Sequence, residues 1–352
     1  MPDNSSISIA GRCIGADCPP FVIAELSGNH NGSLDQALEL MAAAKTAGAD
    51  AIKIQTYTAD TITIDHDGPG FVIEGGPWHG RKLHELYREA HTPWEWHRPL
   101  FAKAKQLGMT LFSTPFDGSA IDLLEELEAP AYKIASFEAI DLPLVRRAAA
   151  TRKPLVISTG MSDLGEISEC VTAARHAGCR DLVLLHCVSA YPAPPEEMNL
   201  QNIPLLAKAF GTVTGLSDHT LDNCIAVTAV ALGACVIEKH LTLARADGGP
   251  DSGFSLEPNE FATLVRDVRT AWSASRRGEG FRRSDSERAN LQFRRSLYAV
   301  EDIPEGEPIT GSNVRSIRPG YGLPPKHLPG LLGRRARARI ARGTPMAWSL
   351  VD

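Results

Sequence analysis

Residues 212–240 read TVTGLSDHTLDNCIAVTAVALGACVIEKH. Two short apolar runs, 212–216 and 234–240, bracket an amphipathic stretch that opens near Thr220. That is the pattern of strand, helix, strand. Working outward, the same rhythm recurs from about residue 20 to residue 276. The other strand-like runs are FVIAE (21–25), AIKIQ (51–55), MTLFS (109–113), AYKIA (131–135), LVIS (155–158) and LVLLH (182–186). Helix patterns between them open at Ser33, Asp117 and Asp163, and at a capping box formed by Thr92, Pro93 and Glu95; two of them close at Gly48 and Gly108. Eight strands alternating with eight helices over about 255 residues predict an α/β fold, a (β/α)8 TIM barrel. An open doubly wound sheet is the alternative. The connection 57–91 is out of proportion to the rest and carries Asp65, Trp78, His79 and Tyr87. A connection that long in a compact domain is usually functional, and since it follows a strand it is predicted to lie on the barrel's C-terminal face as a lid.

The character of the chain changes after residue 276. An arginine-rich polar stretch, 277–292, reads as an exposed linker between a catalytic barrel (1–276) and a small all-β domain (293–352). In that last domain EDIPEGEPIT and ARIARGTPM look alike, each a short hairpin-like unit with Gly in its turn. With 352 residues, 43% of them hydrophobic and 22% charged, the chain can bury a full core. Its net charge of −6 argues against nucleic acid or an anionic membrane as partner. Neither a basic leader followed by an apolar run nor a membrane-length apolar segment is present, so the expected location is cytoplasmic. Seven cysteines lie without a CxxC pair and read as reduced thiols, mostly in the core.

In a parallel barrel the last residues of each strand converge on one mouth, so polar residues that end apolar runs are the ones to collect. They are Glu25; Lys53 and Gln55; Ser113 and Thr114; Lys133, Ser136 and Glu138; Ser158 and Thr159; His186; Ser217, Asp218 and His219; and Glu238, Lys239 and His240. Lysine is rarely buried unless paired. Lys53 and Lys133, with hydroxyls from Thr114, Ser136, Ser158 and Ser217, suit a ligand carrying a phosphate and a carboxylate, as phosphoenolpyruvate does. The plainer reading pairs each lysine with a barrel carboxylate. His219 and His240 end neighbouring strands and can share one divalent ion, leaving room for water and a substrate oxygen. Asp218 is expected to orient an imidazole, His186 to be a satisfied barrel histidine, and Cys187 to be packing. GxSxG, Walker and dinucleotide motifs are absent, which argues against nucleotide cofactors.

FVIAELSGNHNGSLDQAL, AIKIQTYTADTITID, HTPWEWH, FSTPFD, YKIASFE, ISTGM, LLHCVSAYP, GLSDHT, VIEKHLTLARADGGPDSGFSLEP, FRRSLY and SIRPGYGLPPKHL together resemble the sialic acid synthase family. Within it they are most similar to the bacterial branch that acts on 2,4-diacetamido-2,4,6-trideoxy-L-altrose. The resemblance covers nearly the whole chain. It implies a metal-dependent synthase that condenses phosphoenolpyruvate with an acylated amino sugar. The divalent ion, Mn²⁺ with Mg²⁺ or Co²⁺ as alternatives, would be held by His219 and His240. Phosphoenolpyruvate would touch Lys53, Thr114, Lys133, Ser136, Ser158 and Ser217. Many relatives carry Asn where Ser189 stands, which leaves that contact open. The sugar would touch Glu25, Gln55, Tyr191, Asp251 and, from a partner subunit, Arg318. The last domain resembles an antifreeze-like, or SAF, domain exchanged in a domain-swapped homodimer. Glu25, Lys53, Lys133, His219 and His240 are the implied catalytic set. The competing functions are a related synthase using a manno sugar and a non-catalytic carbohydrate-binding protein.

Overall fold

The computed structural model describes residues 6–275, 281 and 283–352 and divides the chain into two compact units, Met1–Arg277 and Gly278–Asp352. The expected linker, 277–292, falls partly outside the described residues.

In the first unit an antiparallel hairpin, β1 (Ser6–Ile9) and β2 (Arg12–Gly15), precedes the barrel. Eight parallel strands then close on themselves: β3 (Phe21–Glu25), β4 (Ala51–Thr56), β5 (Thr110–Pro115), β6 (Tyr132–Ile134), β7 (Leu155–Ser158), β8 (Leu182–Cys187), β9 (Val213–Asp218) and β10 (Val236–His240), with β10 pairing back onto β3. The open-sheet alternative is thereby removed. The strands are buried along their length, save for half-buried Gln55 in β4 and Thr110 in β5, because helices cover the outside and side chains fill the inside. Ser33, Asp117 and Asp163 cap their helices as predicted, each accepting a backbone N–H of the first turn. Two predicted starts move. The segment at Thr92 passes through a 3-10 turn, Trp94–Trp96, before the helix His97–Leu107, with no side-chain cap at Pro93. The helix Asn223–Ala231 is capped by Asp222 rather than Thr220, whose hydroxyl is committed elsewhere.

The hairpin was not anticipated, and it closes the barrel's N-terminal end. Ile7, Ile9 and Ile14 join Phe21, Phe112 and Val183 in one apolar cluster. Cys13 and Cys18 are joined in a disulfide beside it, which corrects the expectation of seven free thiols. An odd total and scattered spacing hid a pair only five residues apart.

The second unit is less regular than an all-β reading implies. Among the described residues its one ladder pairs β11 (Ser296–Ala299) with β12 (Val314–Ile317); the two look-alike stretches meet through the single bridge Ile303↔Ile340, and Pro308 of the first bridges to Arg335, just before the second. Short helical turns, Pro325–His327 and Leu328–Leu331, complete it over a core containing Leu297, Ile309, Val314 and Ile340. Among the described residues no helix is long and apolar enough to cross a membrane.

Candidate active site at the barrel mouth

Strand period and parallel register bring Glu25, Lys53, Gln55, Thr114, Ser217, Glu238 and His240 to one face of the wall, while Ser113, Asp218 and Lys239 turn to the other. Glu25 lies opposite Lys53 and His240, Gln55 opposite Thr114, and Ser217 opposite both Cys187 and Glu238. Lys53 and Lys133 are both buried, at 3% and 2% exposure, so neither can do without a counter-charge. Glu238 supplies it to both, taking the Lys133 ammonium with both oxygens at 2.9 Å and lying 3.3 Å from Lys53. Lys53 also contacts Glu25 and donates to Thr114 Oγ1 at 3.1 Å. The plain reading, lysines paired with barrel carboxylates, therefore holds. It does not exclude a ligand, because two ammonium groups share one firmly ionised carboxylate. Burial would push Glu238 up, but Lys133 and Lys53 outweigh it and hold its carboxyl well down. Glu25 goes the other way: burial pushes it up more than Lys53 pulls it down, so it is the carboxyl of the pair that takes a proton more readily.

A second cluster is made of hydroxyls over a glycine. Gly160 N donates to Ser136 Oγ at 3.1 Å, and a Cβ at Gly160 would meet Ser189 Oγ at 2.3 Å and Ser136 Oγ at 2.8 Å. Ser158 Oγ, two residues earlier at the end of β7, is buried without a partner. Buried hydroxyls rarely stay unsatisfied, so a small cradle with spare donors points to an oxygen-rich ligand. Ser189 sits with Ser136 in this cradle. Gly160 was not anticipated, although the bare Gly of ISTGM after a strand run was a signal for close approach.

His219 and His240 lie side by side, ring centroids 5.4 Å apart. His219 Nδ1 donates to Val188 O at 3.0 Å, which leaves Nε2 free to bind. His240 Nδ1 is buried with no partner, and burial together with the neighbouring His219 keeps the ring well below its ordinary titration range, hence neutral. His219 shifts the other way: burial pushes its ring down, but Cys187 and the Val188 carbonyl outweigh burial and hold it above its ordinary range. Two imidazoles, each with a free nitrogen, fit a divalent ion, whose binding releases any proton held there. Among the described residues no set of three or more His, Cys, Asp or Glu is grouped to hold a metal, so protein ligands beyond these two are not at hand. Phe254, another residue the sequence reading passed over, packs edge-on to His240 at 5.0 Å and lies 5.1 Å from Tyr191, whose ring is 4.4 Å from His219. Asp218 does not orient an imidazole; it faces away from the mouth, toward Lys239 and Thr220.

Asp251 is buried and accepts from Ser27 Oγ and from Gly28 N at 3.3 Å; burial pushes its carboxyl up. Glu138, just past β6, has a buried Oε2 with no partner, and burial pushes its carboxyl up to about 7. His186 Nε2 donates to Met198 O at 2.6 Å and is structural as expected. The long connection carries helices Ala59–Ile62 and Leu83–Ala90 and is tied down by Trp78, whose Nε1 donates to Pro250 O at 2.8 Å. Tyr87 packs on Tyr57 at 5.9 Å. His79 is exposed and accepts from Gly75 N at 2.8 Å within its own turn. Arg318 belongs to the second unit.

A closed parallel barrel with buried lysines, spare hydroxyls and paired imidazoles at its C-terminal mouth is the architecture of a barrel enzyme that keeps its chemistry at that end. The chain belongs to the NeuB family: residues 40–280 match that family, and residues 294–352 match the SAF domain. It is 47% identical over 324 residues to a pseudaminic acid synthase of Campylobacter jejuni, covering 92% of this chain and 94% of that one. It is 40% identical to the pseudaminic acid synthase of Helicobacter pylori, covering 94% and 97%. A solved structure of the spore coat polysaccharide biosynthesis protein SpsE of Bacillus subtilis superposes with a TM-score of 0.67 at 32% identity, covering 99% of each chain.

Proposed function

We propose that this chain is a pseudaminic acid synthase, condensing phosphoenolpyruvate with 2,4-diacetamido-2,4,6-trideoxy-L-altrose and releasing phosphate. The observation that carries it is the convergence of Lys53, Lys133 and the Ser136–Ser158–Ser189 cradle with two free imidazoles in one mouth, in a chain whose near relatives carry that name over most of its length. The enol carbon of phosphoenolpyruvate bonds to the aldehyde carbon of the open-chain sugar, and the aldehyde oxygen takes a proton. Water then adds at the phosphate-bearing carbon, and the C–O bond to phosphate breaks to leave a 2-keto acid. Lys53 and Lys133 hold the anionic groups, with Thr114, Ser217 and the serine cradle accepting or donating around them. His219 and His240 would hold a divalent ion, Mn²⁺ first among the candidates, and the chemistry such an ion would supply there is Lewis-acid polarisation of the aldehyde oxygen. Glu25, Gln55, Tyr191 and Asp251 bind the sugar, and Arg318 reaches it from a second copy in a domain-swapped homodimer. Glu25 and Glu138 are both pushed up by burial, Glu138 to about 7, and are candidates to move a proton in the reaction.

Product mass spectrometry and phosphate release test the proposal, with phosphoenolpyruvate, Mn²⁺ and three sugars: the altro sugar above, N-acetylmannosamine and 2,4-diacetamido-2,4,6-trideoxymannose. The altro sugar should give the highest kcat/KM. Preference for either manno sugar would withdraw the pseudaminic assignment and leave the family. A pocket built round apolar groups rejects an added hydroxyl only about a hundredfold, so a larger preference points to polar contacts at the second acetamido group.

A further inference from the structure

Asp218 and Lys239 are opposite one another in the β9–β10 register, one residue before His219 and His240 respectively. Strand alternation turns them away from the mouth, onto the face that also carries Leu216, Ile237 and Leu241 in the apolar layer between barrel and helices. Both side chains are fully buried there, at 0% exposure, with Lys239 Nζ 2.7 Å from Asp218 Oδ2. The same ammonium donates to Thr220 O and, at 3.3 Å, to Thr220 Oγ1. Asp218 Oδ1 in turn accepts from Thr220 N at 2.9 Å and Thr220 Oγ1 at 2.8 Å. The ion pair itself is buried, and the network runs on through Thr220 Oγ1, which also donates to Asp222 O at 3.2 Å.

An ion pair in an apolar layer is a poor source of stability, because a well-packed apolar pair of similar volume is often as good or better. What this one does is geometric. Asp218 and Thr220 are the two backbone neighbours of His219, and both are fastened to the residue that precedes His240. We propose that the Asp218–Lys239–Thr220 network is a positioning device that fixes the spacing and orientation of the His219 and His240 imidazoles toward a shared divalent ion. The inference rests on the metal reading above. None of the three residues touches substrate or ion; they act through the histidines' backbone, as supporting groups do around other metal sites.

The test uses the full chain, stripped of metal and titrated calorimetrically with Mn²⁺, with the visible absorption of the Co²⁺-loaded protein as a second readout. The doubly neutral variant Asp218→Asn/Lys239→Met keeps the volume and an acceptor for Thr220 while removing the charges. It should stay folded, bind Mn²⁺ about 10- to 100-fold more weakly and change the Co²⁺ spectrum. Thr220→Val, which leaves the ion pair intact, should shift Mn²⁺ binding about tenfold and carries the test if the double variant does not fold. Folded variants with wild-type Mn²⁺ affinity and an unchanged Co²⁺ spectrum overturn the inference and leave the metal reading standing. A wild-type chain that takes up no Mn²⁺ overturns the metal reading and this inference with it.

Discussion

The floor and the mouth of this barrel are built on the same eight strands from opposite materials. At the floor, Ile7, Ile9 and Ile14 of the hairpin press against Phe21, Phe112 and Val183, and apolar packing fills the end, with the Cys13–Cys18 disulfide and the Arg12–Asp50 ion pair at its edge. At the mouth, Glu25, Lys53, Lys133 and Glu238 are just as deeply buried but held by charge. Burial at the floor is favourable residue by residue. At the mouth each ion must be offset by another, and the balance leaves groups, such as Ser158 Oγ and His240 Nδ1, with unused bonding capacity. The difference teaches where the molecule keeps stability and where it keeps reactivity.

The sharpest way to break the contrast is to turn mouth into floor. Lys133→Met should destabilise the chain by about 3–5 kcal/mol in denaturant titration, since it takes the closest counter-charge from buried Glu238. It should also abolish turnover. Adding Glu238→Leu should recover most of the stability and none of the activity; recovery of activity would remove Lys133 from the chemistry. At the other end, Phe112→Ala should cost about 3–4 kcal/mol by cavity formation while kcat at 25 °C stays within about twofold, because the floor touches no substrate. A collapse of kcat in folded protein would show that the two ends are coupled.

A smaller effect sharpens the electrostatic side. Burial raises Glu138 from 4.5 to about 7. A carboxyl raised in the folded state contributes stability that is full below its unfolded value and is lost as pH rises through the folded one. Wild type should therefore lose on the order of 2 kcal/mol from this group between about pH 4.5 and 7. Glu138→Gln should lack that loss, so the variant gains on wild type as pH rises; parallel stability curves from pH 5 to 8 would put the Glu138 carboxyl in water. Least of all, Cys13→Ser with Cys18→Ser should lower stability by about 2 kcal/mol in oxidising buffer, as expected for so short a loop. With dithiothreitol present the two proteins should melt together.

The strands were legible because burial on both faces of a parallel barrel forces near-continuous apolar runs, and the mouth because polar residues interrupt those runs only at their ends. Hence Lys53, Lys133, His219 and His240 could be picked out together. The floor hairpin could not: SISI and RCIG, though paired with each other, are too short and mixed to carry a strand period, and residues they pack on, such as Phe112 and Val183, are far away in sequence. Asp218 was misread for a different reason. Adjacency to His219 suggested contact, yet a period of two sends neighbours on a strand to opposite faces. Gly160 and Phe254 lay in loops, where no period marks which side chains turn inward.

The hydrogen bond from Trp78 to Pro250 O joins the long connection after β4 to the loop after β10. As a latch it is light: one neutral hydrogen bond is worth about 1 kcal/mol, enough to bias an opening equilibrium only about fivefold. The same indole packs on Tyr191 at 5.4 Å, so releasing the latch would also strip a wall of the mouth.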